Sequence, residues 1–456
     1  MPSVVSFCAL PRNVIASFLL FSSVVYAQSG GVASGLGGQS IGKPTESAQP
    51  ASSSGAANVV SMIINSGPAA LASQGGTYNT PFISVTLCQP GSTTCATIPY
   101  IAVDTGSAGL RVFASVLTSA GLNLPVMNDP NNPANTVAEC LPFLDGYAWG
   151  PIVTAALTVG GESVSSLSVQ IFNDNNSYVP SVPTSCTQQT ANVNEDSIAV
   201  FGANGVIGVN FLAQDCGPSC STCNDVAGGC TANNDMYYSC NAGTNTCSSV
   251  QVALASQVVN PVAKFTTDNN GVILQFPSIP EAGAANVTGN LIFGISTESN
   301  NALGSASVLT LDDEGFFTST FNGTALTAFI DSGSTDYFFP DNSLTLCPNQ
   351  KSGQPEFYCP TSTVMLSTVN QGNLPNGTPA GAMNTVQFLV ADFDSLSNSN
   401  TAFDDIGLTA PATGGDDSIT GYFDFGLPFF FGRSVYTGIV GESAGVGGPT
   451  GPYYAY

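Results

Sequence analysis

A four-residue turn sequence occurs twice in this chain, as Asp104-Thr105-Gly106-Ser107 and as Asp331-Ser332-Gly333-Ser334, 227 positions apart. Each copy closes a short apolar run, Tyr-Ile-Ala-Val at 100–103 and Ala-Phe-Ile at 328–330, and apolar residues resume after each turn. An isolated Asp-Ser/Thr-Gly caps turns of many kinds. The pair is more specific. Both copies share the fourth residue, both end an apolar strand, and both precede an apolar-Gly segment, Val206-Ile207-Gly208 for the first and Phe425-Gly426 for the second. The repeat predicts two similar halves with one motif in each. Brought together across a pseudo-two-fold axis, two such carboxylates can share one proton and activate a water molecule.

Composition narrows the chemistry further. The 456 residues include no histidine, which excludes Ser-His-Asp and Cys-His catalysis and H-E-x-x-H zinc hydrolysis. Any hydrolysis must therefore use carboxylates, Tyr, Lys, Cys or a hard metal. Only 8% of residues are charged while 43% are apolar, so charged-faced helices and coiled coils are not expected and the chain reads as mainly β. Thirty acidic against six basic residues give a net charge of −24. So few cations cannot neutralise many phosphates, which argues against nucleic acid as a partner and against anionic membrane surfaces. The acidity also keeps an exported protein soluble.

Residues 1–27 read as a secretory signal peptide, with Arg12, an apolar core from Val14 to Val25, and Val25-Tyr26-Ala27 as the cleavage site. Residues 28–57 are rich in Gly, Ser, Ala and Gln and read as a disordered leader. No later segment looks transmembrane, so no membrane association is expected after cleavage. Export is the expected fate, to the medium, a periplasm or the cell surface. Of thirteen cysteines, Cys8 falls in the signal and an even number remains, which predicts six disulfides in an oxidising compartment. Cys88 with Cys95 and Cys347 with Cys359 form plausible local loops. The cluster Cys216, Cys220, Cys223, Cys230, Cys240 and Cys247 reads as a disulfide-bonded surface insertion, with a zinc site the alternative.

Strands are expected from Val59, over Pro81 to Cys88 and Thr97 to Val103, in a hairpin around Ile152 to Val159 and Leu167 to Phe172, and at Gly205 to Gly208. Val250 to Val259 is the best helix candidate. Strands resume at Val272 to Phe276, Asn290 to Ile295, Ala306 to Leu311 and Ala325 to Ile330, and an apolar segment from Phe425 to Val440 closes the chain. The expected division is an N-terminal lobe over 58–215, the cysteine-rich insertion over 216–247, and a C-terminal lobe over 248–456. Asp312-Asp313, Asp404-Asp405 and Asp416-Asp417 read as solvated acids, with calcium the alternative.

From about residue 80 to 445 the chain resembles the pepsin-type aspartic peptidases, in a divergent form similar to an uncharacterised family of exported proteins (domain of unknown function 3443). The family's first motif falls on Val103-Asp104-Thr105-Gly106-Ser107 and its second on Ile330-Asp331-Ser332-Gly333-Ser334. Its Gly-Ile-Leu-Gly strand resembles Gly205-Val206-Ile207-Gly208, its closing segment resembles Phe425-Gly426-Leu427-Pro428-Phe429, and its flap tyrosine would be Tyr147 of Tyr147-Ala148-Trp149-Gly150. The resemblance implies a bilobal, monomeric, cofactor-free and metal-free endopeptidase acting on peptide or protein substrates, with Asp104 and Asp331 catalytic. Thr105 and Ser332 would brace the loops, Gly106 and Gly333 would allow close approach, and Ser107 and Ser334 would orient the carboxylates. Arg111 departs from the pattern, standing where the family has an aromatic residue, and would alter the cleft wall. The rival expectation is a catalytically silent scaffold that binds an extracellular protein or glycan. A third is an unrelated β-rich surface protein in which the two aspartates never meet.

Overall fold

The computed structural model describes residues 55–456 apart from 144–145, 175–178, 181, 188–193, 222–235, 349–355 and 411–420. The expected signal peptide and the leader up to residue 54 lie outside the described residues.

Strands dominate, as a chain this poor in charge and rich in Val, Thr and Phe requires. The first half contains β1 (Val59–Ile64), β2 (Pro81–Cys88), β3 (Cys95–Asp104), β4 (Ala108–Phe113), β5 (Asn128–Asp129), β6 (Asn132–Pro142), β7 (Tyr147–Val159), β8 (Glu162–Phe172) and β9 (Gly205–Val209). Next come β10 (Tyr237–Asn241), β11 (Thr246–Ser249), β12 (Gly271–Gln275), β13 (Val287–Phe293) and β14 (Val308–Thr310). The second half adds β15 (Phe317–Phe321), β16 (Thr324–Ile330), β17 (Tyr337–Phe338), β18 (Val364–Asn373), β19 (Pro379–Val390), β20 (Gly407–Leu408), β21 (Tyr422–Phe425), β22 (Ser434–Gly438) and β23 (Tyr453–Ala455).

Strand pairing repeats between the halves. In the first, β3 pairs in parallel with β9, β9 antiparallel with β4, and β4 in parallel with β8. In the second, β16 pairs in parallel with β21, β21 antiparallel with β17, and β17 in parallel with β20. Each aspartate turn thus leaves a strand that lies beside the later apolar-Gly strand, at the same register: Asp104 opposite Gly208, and Ile330 opposite Phe425, one residue before Asp331 and Gly426. The first half closes on itself, because β7 also pairs with β2 and completes the ring β2-β3-β9-β4-β8-β7. The second remains an open seven-stranded sheet, β19-β18-β15-β16-β21-β17-β20.

The antiparallel run β1-β13-β12-β22-β23-β14 carries strands from both ends of the described chain and joins the halves. One apolar cluster extends through both, from Ile83, Val103 and Ile207 to Phe317, Phe339, Phe423 and Phe425. Phe429 and Phe430 are wholly buried within it. Their rings pack edge to face with centroids 4.9–6.4 Å apart, a favourable arrangement for aromatic quadrupoles.

Two expectations need correction. Val250 to Val259 is not a helix: only Leu254–Ser256 forms a single 3-10 turn, with extended backbone on either side. β-branched valines at 250, 252, 258 and 259 disfavour the helix. Tertiary partners take the backbone instead, Val250 N–H donating to Tyr237 O at 2.8 Å and Val252 N–H to Cys220 O at 2.9 Å. Nor does the described end of the cysteine-rich segment lie on the surface as an appendage. β10 pairs with β6, and Tyr237, Tyr238 and Cys240 are buried.

Disulfides join Cys88–Cys95, Cys140–Cys186, Cys216–Cys220, Cys240–Cys247 and Cys347–Cys359. Cys223 and Cys230 lie outside the described residues. Among the described residues no helix is long and apolar enough to cross a membrane.

Candidate active site

The apolar runs that precede the two motifs become β3 and β16, and each ends at an aspartate because the next two residues turn the chain away from its sheet. The turns meet face to face. Thr105 N–H donates to Ser332 Oγ at 3.1 Å, and Ser332 N–H donates to Thr105 Oγ1 at 2.9 Å. Each hydroxyl then donates across the junction to the carbonyl of the residue just before the other aspartate, Thr105 Oγ1 to Ile330 O at 3.3 Å and Ser332 Oγ to Val103 O at 2.8 Å. Four hydrogen bonds therefore fix the loops against each other in a space where water cannot replace them.

The glycines provide the closeness. A Cβ on Gly106 would stand 2.6 Å from Asp331 Oδ2, and one on Gly333 would stand 2.7 Å from Asp104 Oδ1. No side chain fits at either position. The two carboxyls lie within hydrogen-bond reach of one another, and neither residue exposes any surface.

Their environments differ. Asp104 Oδ1 accepts from Gly106 N–H at 2.7 Å, and Oδ2 accepts from Ser107 Oγ. Burial pushes this carboxyl up, while hydrogen bonds from Asp331, Ser107 and Gly106 and the charge of Arg111 pull it back. Asp331 Oδ1 accepts from Gly333 N–H at 2.7 Å, and its Oδ2 has only a longer contact to Ser334 Oγ at 3.2 Å. Burial drives Asp331 far above the usual carboxylate range, and the negative neighbours Asp104 and Asp424 add to it. The pair holds a shared proton, and the closer donors around Asp104 favour ionisation there and the proton on Asp331.

Tyr147 opens β7 beside the tip of the β6–β7 hairpin. It shares no hydrogen bond with either aspartate; its ring lies in an apolar cluster with Trp149, Tyr238 and the Cys140–Cys186 disulfide. Burial and the charge of Asp196 raise its phenol. Arg111 is not a wall residue. It is fully buried, donating to Glu139 at 3.1 Å, Asp215 at 3.0 Å, Gln170 at 2.9 Å and Ala108 O at 2.7 Å.

Two features escaped the sequence reading. Asp424, completely buried on β21, accepts from Ser334 Oγ at 2.5 Å. The signal was present, since a lone acid interrupts the apolar run Tyr422-Phe423-Asp424-Phe425. The second is the acid pair around Arg111, separated by long stretches of sequence and therefore visible only once folded.

Among the described residues, Cys347, Cys359 and Asp392 converge closely enough to hold an ion, but the two sulfurs are joined in a disulfide and offer no thiolate. Asp312 caps its own turn, accepting from Glu314 and Phe316 N–H, while Asp416 and Asp417 lie outside the described residues.

Fold and site together define a mainly-β protein of two like-paired halves, with a duplicated turn motif that brings two buried carboxyls into contact. The chain belongs to the family described as "Protein of unknown function (DUF3443)", whose model matches residues 54–456. No curated protein matches it.

Proposed function

We propose that this chain is an exported, pepsin-like aspartic endopeptidase that hydrolyses peptide bonds with Asp104 and Asp331. The observation that carries the reading is the reciprocal contact of the two motifs, in which each glycine makes room for the other motif's carboxyl. Ionised Asp104, held by Ser107 and Gly106, accepts a proton from a water molecule lying between the carboxyls. That water attacks the peptide carbonyl. Protonated Asp331 donates to the developing oxyanion and then supports protonation of the leaving nitrogen. The five disulfides among the described residues support an oxidising destination, as does the signal-like sequence at 1–27.

One observation favours the rival reading, a silent scaffold that binds an extracellular protein or glycan: both aspartates are wholly enclosed. A peptide reaches them only if the surrounding structure opens. The deciding test is cleavage of a denatured protein across acidic to neutral pH, with Asp104→Asn and pepstatin as controls. Cleavage that falls about 10²–10⁴-fold in the variant supports the peptidase. No cleavage at any pH by demonstrably folded protein favours the scaffold.

A further inference from the structure

Hydrogen bonding at the aspartate pair extends to a third buried carboxyl. Asp424 pairs with Phe329, two residues before Asp331, just as Val206 in the first half pairs with Ala102, two residues before Asp104. An acid therefore stands where the matching half carries valine. The two serines differ correspondingly. Ser107 Oγ donates to Asp104, whereas Ser334 Oγ lies 2.5 Å from Asp424 Oδ2 and 3.2 Å from Asp331 Oδ2. A hydroxyl has one proton to donate, so Asp331 and Asp424 compete for it, and the shorter contact goes to Asp424.

The groups facing Asp424 offer it no cation. Asp331 reaches it through Ser334, Asp104 and Asp336 add negative charge, and Tyr422 and Tyr454 are phenols raised by burial and by its charge. Arg111 acts on Asp104 instead. The second carboxylate oxygen of Asp424 is buried without a hydrogen-bond partner.

We propose that Asp424 is a positioning residue of this site: through Ser334 it holds the shared proton on Asp331 and sets the alkaline limit of the site. The inference rests on the peptidase reading for its consequence in activity, but not for its proton chemistry. When Asp424 is ionised, Ser334 turns its hydroxyl toward it. Asp331 then loses a donor, gains a negative neighbour, and keeps its proton. When Asp424 is protonated, its own O–H donates to Ser334 Oγ and Ser334 donates to Asp331. That arrangement favours ionised Asp331 and moves the shared proton toward Asp104. Burial and neighbouring acids raise Asp424 itself, so the two arrangements exchange above the ordinary carboxylate range.

The test uses Asp424→Asn, which keeps the shape, and Asp424→Val, which installs the residue of the other half. The alkaline limb of kcat/KM against pH is expected to move to lower pH by about one unit in both, because the last proton of the pair no longer faces a third carboxylate. An alkaline limb unchanged in both Asp424 variants overturns the proposal. Should the parent protein cleave nothing, the infrared C=O stretch of protonated carboxyls gives a separate readout. The band that disappears in Asp331→Asn should titrate away at lower pH in Asp424→Asn than in the parent. An equal midpoint overturns the proposal whether or not the protein is a peptidase.

Discussion

Gly106 and Gly333 leave free the space that the opposite motif's carboxyl occupies. Gly106→Ala would place a methyl 2.6 Å from Asp331 Oδ2 and force the carboxyls apart by a substantial fraction of an ångström. Misplacement on that scale costs about 10²-fold in rate, so on the proposed peptidase reading kcat/KM should fall by that order while circular dichroism stays native; full activity would contradict the geometry. Thr105→Val removes the acceptor of Ser332 N–H and the donor to Ile330 O. Leaving a buried donor unsatisfied costs about 1–3 kcal/mol, which urea unfolding of the variant would measure. These residues were legible in the sequence because each motif is contiguous and occurs twice. Asp424 was not, because its meaning depends on a strand pairing with a segment far away in the chain. Arg111 was misread as a wall residue for the same reason, since Glu139 and Asp215 approach it only in the fold.

Arg111 also shows how the first half is tied together at the level of strands. It projects from β4, reaches Glu139 on β6 and Gln170 on β8, and meets Asp215 beyond β9, where Tyr237 of β10 donates to the same aspartate at 2.8 Å. β10, at the described end of the cysteine-rich segment, is thereby anchored to the cluster. Arg111→Met leaves two buried carboxyls without their cation and should cost about 3–5 kcal/mol, read by denaturant titration; a loss below about 1 kcal/mol would show that the cluster contributes little. Strands whose buried face is apolar, such as β2, β3 and β9, were visible as runs of Val, Ile and Phe. β18 was not. β18 buries Thr368 and Asn370, and Thr368 hydrogen-bonds Ser319 of β15 at 2.7 Å. A strand that buries hydroxyls and amides has no alternating apolar signature to read.

Across the whole molecule, buried acids dominate the dependence on pH. Asp215, Asp331 and Asp424 are all raised well above the ordinary carboxylate value of 3.8, first by burial and then by neighbouring acids for Asp215 and Asp331. A raised carboxyl keeps its proton in the folded state after the unfolded chain has lost it. The stability is therefore complete below the ordinary value and declines as pH rises toward the raised ones, by about 1.4 kcal/mol per pH unit for each proton retained. The net charge of −24 acts in the same direction through self-repulsion. Melting temperature should be higher near pH 4.5 than near pH 7.5, and the reverse order would contradict the assigned directions. The two-half organisation was legible from the repeated motif, whereas the closed ring in one half and the open sheet in the other were not, because closure depends on β7 reaching back to β2. The sheet that joins the halves pairs β1 with β13 and places β23 between β22 and β14. Its strands come from three separate stretches of the chain, β1 early, β12 to β14 in the middle, and β22 and β23 late. A nascent chain thus carries Asp104 through the 227 residues that precede Asp331, and the paired carboxyls belong to the assembled halves alone.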